Sequence, residues 1–192
     1  MSNIKNILFV GVGGQGTILA SKIFTEGLIK SGYDVKMSEV HGMAQRGGSV
    51  VTQVRYGEKV YSPLIEKGTV DVIVSFEKIE AARWIEFLKE NGTVIINDYE
   101  IRPITVLVGN EVYPEDVLEK ISQNPIKIKV IHAYEKAKDI GNSKVQNSIL
   151  LGALVKACGL EKIDWEEIIK SNVNAKFLDM NIKAFNIGNE IE

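Results

Sequence analysis

The chain has 192 residues, of which 45% are hydrophobic and 25% are charged, and this balance is that of an ordinary globular protein. Its formal net charge of -2 gives no basic surface of the kind that nucleic-acid binding requires, so we expect no nucleic-acid partner. Cys158 is the only cysteine, which excludes a disulfide and a four-cysteine iron–sulfur cluster within the chain.

The first predicted element is a strand at residues 7–10, an apolar run that stops at a group of glycines. This pattern is typical of a strand buried on both faces of a parallel sheet. The run is too short for a signal-peptide core or a membrane span, and no later run is long enough. We therefore expect a cytoplasmic protein without a membrane partner.

The glycine group has the spacing G-x-G-x-x-G and lies between that strand and a predicted helix at residues 16–31, which ends at Gly32. Glycines permit a close approach of a ligand, and the free amides at a helix start favour a phosphate or another anion. The alternative is a tight strand-to-helix turn that binds nothing. The candidate phosphate-binding residues are Gly11, Gly13, Gly14, Gln15 and Gly16.

A second strand at residues 34–40 and a third at 49–56 are separated by a segment too short for a crossover helix. This favours an antiparallel pair, which departs from a simple dinucleotide-binding fold. Glu39 is available to hold a ribose, or alternatively to fix the following loop through Arg46. The segment is either a second binding loop or a surface hairpin. Its candidate residues are Glu39, His41, Gln45, Arg46, Gly47 and Gly48.

The rest of the chain reads as alternating strands and helices, followed by helices alone. Strands are predicted at residues 70–76, 93–97, 104–108 and 127–133, and helices at 77–89, 114–122, 143–158, 164–171 and 175–185. Capping boxes at Ser143/Gln146 and at Asp164/Glu167 are expected to start two of these helices. The order predicts a single α/β domain over residues 1–192. We expect a Rossmann-like open three-layer sandwich, a mostly parallel sheet with a β-hairpin departure, and a C-terminal helical extension at about 143–188.

Catalytic chemistry is not evident in the residue pattern. Neither histidine, His41 or His132, has the spacing of a metal site, so we expect no metal, and no serine has a recognisable triad partner. Asn147 lies near the start of the helix at 143–158, where capping and packing explain it, although it is also placed to face a ligand. The catalytic residues are therefore left unassigned.

Three segments together resemble the gamma-type subunit of the 2-oxoacid:ferredoxin oxidoreductase family. They are GVGGQGTILASKIF from Gly11, SEVHGMAQRGGSVVTQVRYG from Ser38 and NSILLGAL from Asn147. The form E-x-H-G-M-A-Q-R-G-G is most similar to the smaller subunit of the indolepyruvate type, and the resemblance extends to VNAKFLDMNIKAFNIG near the carboxyl end.

The resemblance implies a complex that oxidatively decarboxylates arylpyruvates to aryl-acetyl-coenzyme A and passes electrons to ferredoxin. Thiamine diphosphate, magnesium and the iron–sulfur clusters are then expected in a larger partner subunit, with coenzyme A as a co-substrate and no cofactor bound by this chain. The two loops would converge at the carboxyl edge of the sheet and face the thiamine site or the coenzyme A path.

Two other functions fit the glycine motif. One is a self-sufficient NAD(P)- or flavin-dependent oxidoreductase that uses residues 11–16 and Glu39. The other is an anion- or nucleotide-binding regulatory module without an obligate large partner. Thermal protection of the isolated chain by a nucleotide would favour either of them over the oxidoreductase subunit.

Overall fold

The computed structural model describes residues 4–41 and 47–191, without the side chain of His41. Six strands form one sheet: β1 Lys5–Val12, β2 Asp34–His41, β3 Ser49–Gly57, β4 Val70–Ser75, β5 Leu88–Asn97 and β6 Lys127–Ile131. The α-helices are α1 Thr17–Lys30, α2 Lys78–Trp84, α3 Ile104–Leu107, α4 Val117–Ser122, α5 Ala133–Ile140, α6 Gln146–Cys158, α7 Trp165–Asn172 and α8 Leu178–Asn189. Short 3-10 turns lie at Ile85–Phe87, Ser143–Val145 and Ala175–Phe177.

The strand order is β2-β3-β1-β4-β5-β6. β3 pairs antiparallel with both β1 and β2, whereas the pairs β1–β4, β4–β5 and β5–β6 are parallel. Five strands therefore run in one direction and only β3 runs against them among the described residues. The predicted fold class, a mostly parallel sheet with one hairpin departure, is confirmed. The hairpin also inserts β3 between β1 and β2, which in a dinucleotide-binding fold would be neighbours.

Helices cover both faces of the sheet and make two apolar cores. On one face, Ile7 and Phe9 of β1 pack with α1, α5, α6, α7 and α8. On the other face, Leu8 and Val10 of the same strand pack with α2 and α4. Residues 7–10 are fully buried, as the sequence predicts for a strand covered on both sides.

The helices after residue 143 share the core of the first face. Trp165 of α7 stacks on Phe24 of α1, with ring centroids 6.0 Å apart. The ring fits because Gly27 of α1 has no Cβ; one built there would lie 2.4 Å from Trp165 Cζ3. α6 and α8 approach even more closely, because Gly152 and Gly188 bring their backbones into contact.

Four element predictions are wrong in bounds or type. The helix predicted at residues 77–89 ends earlier, since α2 stops at Trp84 and β5 already begins at Leu88. The strand predicted at 104–108 is the short helix α3, in which the amides of Val106 and Leu107 donate to the carbonyl of Pro103. The helix predicted at 114–122 begins only at Val117, and the strand predicted to reach residue 133 ends at Ile131, where the unpredicted α5 follows.

The two predicted capping boxes have different outcomes. Asp164 accepts a hydrogen bond from the amide of Glu167 at 3.2 Å, as expected. The box at Ser143/Gln146 is wrong, because Asn142 caps the turn through the amide of Lys144 at 3.1 Å. The Gln146 side chain instead accepts from Asn97 Nδ2 at 3.0 Å. A buried polar partner outweighs the local capping pattern at this position.

Candidate functional site

The glycine loop connects β1 to α1 at the carboxyl edge of the sheet. Gly14 and Gly16 have φ angles of 102° and 84°, a region that side-chain-bearing residues rarely adopt. Gly11 has a different role, because a Cβ there would lie 2.9 Å from Phe76 Cβ and from Gln15 Oε1. The glycines therefore serve two purposes, since Gly14 and Gly16 shape the turn and Gly11 permits close packing beneath it.

Gln15 fixes the loop to the sheet. Its Oε1 accepts from the Val12 amide at 2.7 Å, and its Nε2 donates to the Phe76 carbonyl at 2.8 Å. The side chain is buried. Its carboxamide thus joins the ends of two neighbouring parallel strands, and it holds the loop in place from below.

The start of α1 presents unsatisfied donors next to the loop. The first helical hydrogen bond is from Ala20 to Gly16, so the amides of residues 16–19 have no acceptor among the described residues. No side chain caps this helix and its first turn contains no acidic residue. Thr17 is only 3% exposed, and its Oγ1 has no hydrogen-bond partner in the described part of the chain. Free amides and a free hydroxyl at a helix start suit an anion.

The described part of the second predicted segment contacts the glycine loop. The amide of Gly13 donates to the carbonyl of Gly48 at 2.9 Å. Glu39 and Val50 line a pocket of about 480 Å³ together with the glycine loop and Thr17. Gly47 lines the next pocket along the edge. Gln45, Arg46 and the side chain of His41 lie outside the described residues.

The inserted strand changes what Glu39 can reach. Glu39 pairs with Thr52 of β3, and Thr52 in turn pairs with Phe9 of β1. Neighbouring strands are spaced by about 4.8 Å, so β2 lies about 10 Å from β1 rather than one strand away. The Glu39 carboxylate therefore lies across the pocket from the loop, one strand farther than the acidic residue of a dinucleotide site.

Asn147 reaches the glycine loop from the first turn of α6. A Cβ on Gly16 would lie 2.8 Å from Asn147 Nδ2, so the two residues are in direct contact. Asn147 Oδ1 accepts from the amide of Ser148, while Nδ2 donates to none of the described residues. The structure thus brings this predicted residue to the loop, on the side opposite Glu39.

Asn97 is a residue of this edge that the sequence reasoning missed. Fully buried at the end of β5, it donates to the Phe76 carbonyl and to Gln146 Oε1, and its Oδ1 accepts from the Ala133 amide at 3.0 Å. Phe76 O is also the acceptor of Gln15, so one network ties the loop to β4, β5, α5 and α6. A polar residue directly after the apolar run 94–96 was the available signal.

The sequence reasoning also missed two buried carboxylates, which lie at the start of α2. Glu77 Oε1 accepts from the Tyr113 hydroxyl at 2.7 Å, and Glu80 Oε2 accepts from Ser49 Oγ at 2.5 Å. Burial raises the pKa of the Glu77 carboxyl, against the hydrogen bonds from Tyr113 and the Glu80 amide, which favour the ionised form. These contacts hold the segment around α3 next to Ser49, immediately after the second loop.

Within the described ranges, no group of three or more His, Cys, Asp and Glu side chains is arranged to bind a metal ion. The same ranges contain no helix with the length and hydropathy needed to cross a membrane.

Comparison with known proteins assigns this arrangement to one family. The family model of pyruvate ferredoxin/flavodoxin oxidoreductase matches residues 6–191. An indolepyruvate oxidoreductase subunit IorB from Thermococcus kodakarensis is 39% identical over 95% of this chain and 93% of its own length. The common gamma subunit of the pyruvate/ketoisovalerate oxidoreductases of Pyrococcus furiosus is 30% identical over 93% of this chain and 91% of its own.

A solved structure has the same fold. The gamma subunit of a keto/oxoacid ferredoxin oxidoreductase from Geobacter sulfurreducens superposes with a TM-score of 0.71 and 26% identity. The match covers 96% of this chain and 95% of that chain.

Proposed function

Because the chain belongs to the pyruvate ferredoxin/flavodoxin oxidoreductase family, we propose that it is the smaller subunit of an indolepyruvate-type enzyme. The reaction is the oxidative decarboxylation of an aryl 2-oxoacid to aryl-acetyl-coenzyme A, with the two electrons passed to ferredoxin. The observation that supports this branch most strongly is the 39% identity to an indolepyruvate oxidoreductase subunit, against 30% to a pyruvate/ketoisovalerate subunit.

In this proposal the larger partner subunit holds thiamine diphosphate, magnesium and the iron–sulfur clusters. The residues of the present chain do not fit a cluster, since Cys158 is its only cysteine and a cluster is typically bound by four thiolates. Electrons would therefore reach ferredoxin through the partner. The contribution of this chain is binding and positioning at the boundary between the subunits.

The glycine loop and the second loop are proposed to form that boundary. The pocket between Thr17 and Glu39 opens at the carboxyl edge of the sheet, where open α/β folds bind their ligands. We assign Gly13, Gly14 and Gly16, with Glu39 and Gly48, to the wall that faces the thiamine site or the coenzyme A path. The amides at the start of α1 would receive an anionic group there.

An exposed apolar patch adjoins the same edge and supports a protein partner. Ile104, Leu107, Val108 and Val112 are each 60–91% exposed, on and after α3. Ile104 and Leu107 line one pocket with Gly47 and Ser49, so the patch is continuous with the second loop. Contiguous exposed apolar surface of this kind marks interaction sites. We assign it to contact with the larger subunit.

The geometry counts against a self-sufficient NAD(P) enzyme. In such a site the acidic residue stands at the end of the strand next to β1, where it holds the ribose. Here β3 occupies that position and Glu39 is one strand farther away.

Affinity capture of the chain from its native cytoplasm tests the proposal. We expect a single larger protein to co-purify in equal amount, containing bound thiamine diphosphate and non-haem iron. Lys183→Gln serves as the control, because Lys183 is an exposed residue of α8 outside both loops and the patch. This variant should retain the partner. Recovery of the chain without a thiamine-containing partner would contradict the proposal.

A further inference from the structure

Residues 101–113 form a loop whose two ends meet at one buried carboxylate. Glu77 Oε1 accepts a hydrogen bond from the amide of Ile101 at 3.3 Å and another from the hydroxyl of Tyr113 at 2.7 Å. The other oxygen, Oε2, accepts from the amide of Glu80 at 3.0 Å, so the carboxylate is itself fixed at the start of α2. A compact surface loop with adjoining ends is of the Ω type.

The end of this loop at Tyr113 is buried, but its middle is not. Glu77 is 1% exposed and Tyr113 is 6% exposed, whereas residues 102–112 are half-buried or exposed. Packing into the apolar core therefore contributes little to holding the middle of the loop. Burial and the neighbouring Glu77 carboxylate raise the pKa of the Tyr113 hydroxyl, which keeps its proton for the hydrogen bond. Because a hydrogen bond is stronger where water is excluded, this contact should dominate the closure of the loop.

Within the loop, further hydrogen bonds fix the shape of α3 and the turn after it. The carbonyl of Thr105 accepts from the amides of Asn110 and Glu111 at 2.9 and 3.2 Å. The Thr105 hydroxyl donates to Glu111 Oε2 at 2.8 Å. The segment thus has a defined conformation in the single chain, and the hydrogen bonds to Glu77 determine where that segment is placed on the fold.

The outward side of α3 carries three apolar side chains. Ile104, Leu107 and Val108 are 70, 66 and 60% exposed. Their spacing of i, i+3 and i+4 places them on one side of a helical turn, which is the arrangement of the anchors of a helix that binds in an apolar groove. A protein partner with such a groove fits this surface.

We propose that Glu77 and Tyr113 are positioning residues for subunit assembly: their hydrogen bond closes the loop and presents α3 to an apolar groove of the larger subunit. A segment that is ordered beforehand binds more tightly, because less conformational entropy is lost on binding. The inference rests on the proposed function, which supplies the larger subunit. Continuity supports this partner, since α3 lines one pocket with Gly47 and Ser49, next to the second loop that is assigned to the subunit boundary.

Hydrogen exchange of the isolated chain tests the closure of the loop. Tyr113→Phe removes one oxygen atom and keeps the ring, so exchange in the peptide 101–113 should become about tenfold faster, the usual effect of losing a hydrogen bond to a carboxylate. The amides of β1 should exchange at the wild-type rate, because only a local opening becomes easier. Tyr61→Phe is the matched control, since Tyr61 is 86% exposed outside the loop, and it should change neither rate. Unchanged exchange in Tyr113→Phe would overturn the proposal.

Titration with the larger subunit, followed by ferredoxin reduction, tests the link to assembly. In Tyr113→Phe the half-saturating concentration of the larger subunit should rise about tenfold, while the activity at saturation stays at the wild-type level. Leu107→Ala should also raise that concentration, but at the wild-type exchange rate of the loop. Faster exchange with no rise in either variant would overturn the assembly role alone. A wild-type chain that binds no larger subunit would contradict the proposed function as well.

Discussion

Replacement of Gly188 by alanine is expected to destabilise the folded chain by about 3 kcal/mol, the upper part of the usual range for overpacking a core. A Cβ at this position would lie 1.9 Å from the carbonyl oxygen of Ile149, and its three nearest neighbours are all backbone atoms of Ile149 in α6. Side-chain rotation cannot relieve such a contact, so α8 would have to move away from α6. Urea denaturation followed by circular dichroism measures the loss.

Asn186→Ala is the control for this variant, since Asn186 is exposed on the same helix. Its free energy of unfolding should stay within about 0.5 kcal/mol of the wild type. Gly152→Ala should behave like Gly188→Ala, because a Cβ on Gly152 would lie 2.1 Å from the carbonyl oxygen of Phe185. If both glycine variants unfolded at the wild-type urea concentration, the described contact between α6 and α8 would be wrong.

The second large effect is expected at the glycine loop itself. Gly16→Ala should lower the activity of the reconstituted complex by about 100-fold, as displacements of about 1 Å in a binding site can do. Alanine at a φ of 84° is strained by about 1–2 kcal/mol. Its Cβ would also lie 2.8 Å from Asn147 Nδ2 and 3.2 Å from Asn147 Cβ, so the Asn147 side chain must move away from the loop. Ferredoxin reduction with saturating oxoacid and coenzyme A is the measurement.

Gly14→Ala distinguishes the effect of backbone strain from the effect of the contact with Asn147. Gly14 also has a positive φ, but a Cβ there would have no neighbour within 4 Å. It should lower the free energy of unfolding by about as much as Gly16→Ala does. It should lower the activity of the complex much less. Equal losses of activity in the two variants would show that the contact between Gly16 and Asn147 has no part in the site.

The sheet could be predicted from the sequence wherever burial dictates the pattern. Residues 7–10 are apolar because helices cover both faces of β1, and the short link after β2 permits only an antiparallel return. The pairing of β3 with β1 could not be deduced, because no local pattern specifies which edge of the hairpin joins the sheet. The strand predicted at 104–108 is wrong because an apolar run was taken as a sign of burial. Ile104, Leu107 and Val108 are instead exposed on and next to α3.

The candidate site could be predicted in part. The glycine spacing located the loop, and its hydrogen bond to Gly48 joins it to the second segment. The interactions of the supporting residues could not be predicted, because Asn97, Gln146 and Glu77 form hydrogen bonds with partners far away in sequence. The roles of the predicted binding residues stay predictions.

We propose that this chain is one subunit of an arylpyruvate-oxidising enzyme. The most direct measurement is ferredoxin reduction by the chain and its larger partner, prepared separately and then mixed, with indolepyruvate and pyruvate compared as substrates. We predict no activity from either subunit alone, and coenzyme A-dependent activity from the mixture with indolepyruvate well above that with pyruvate. Reduction of NAD(P) by this chain alone, or a mixture that oxidises pyruvate and not indolepyruvate, would contradict the account.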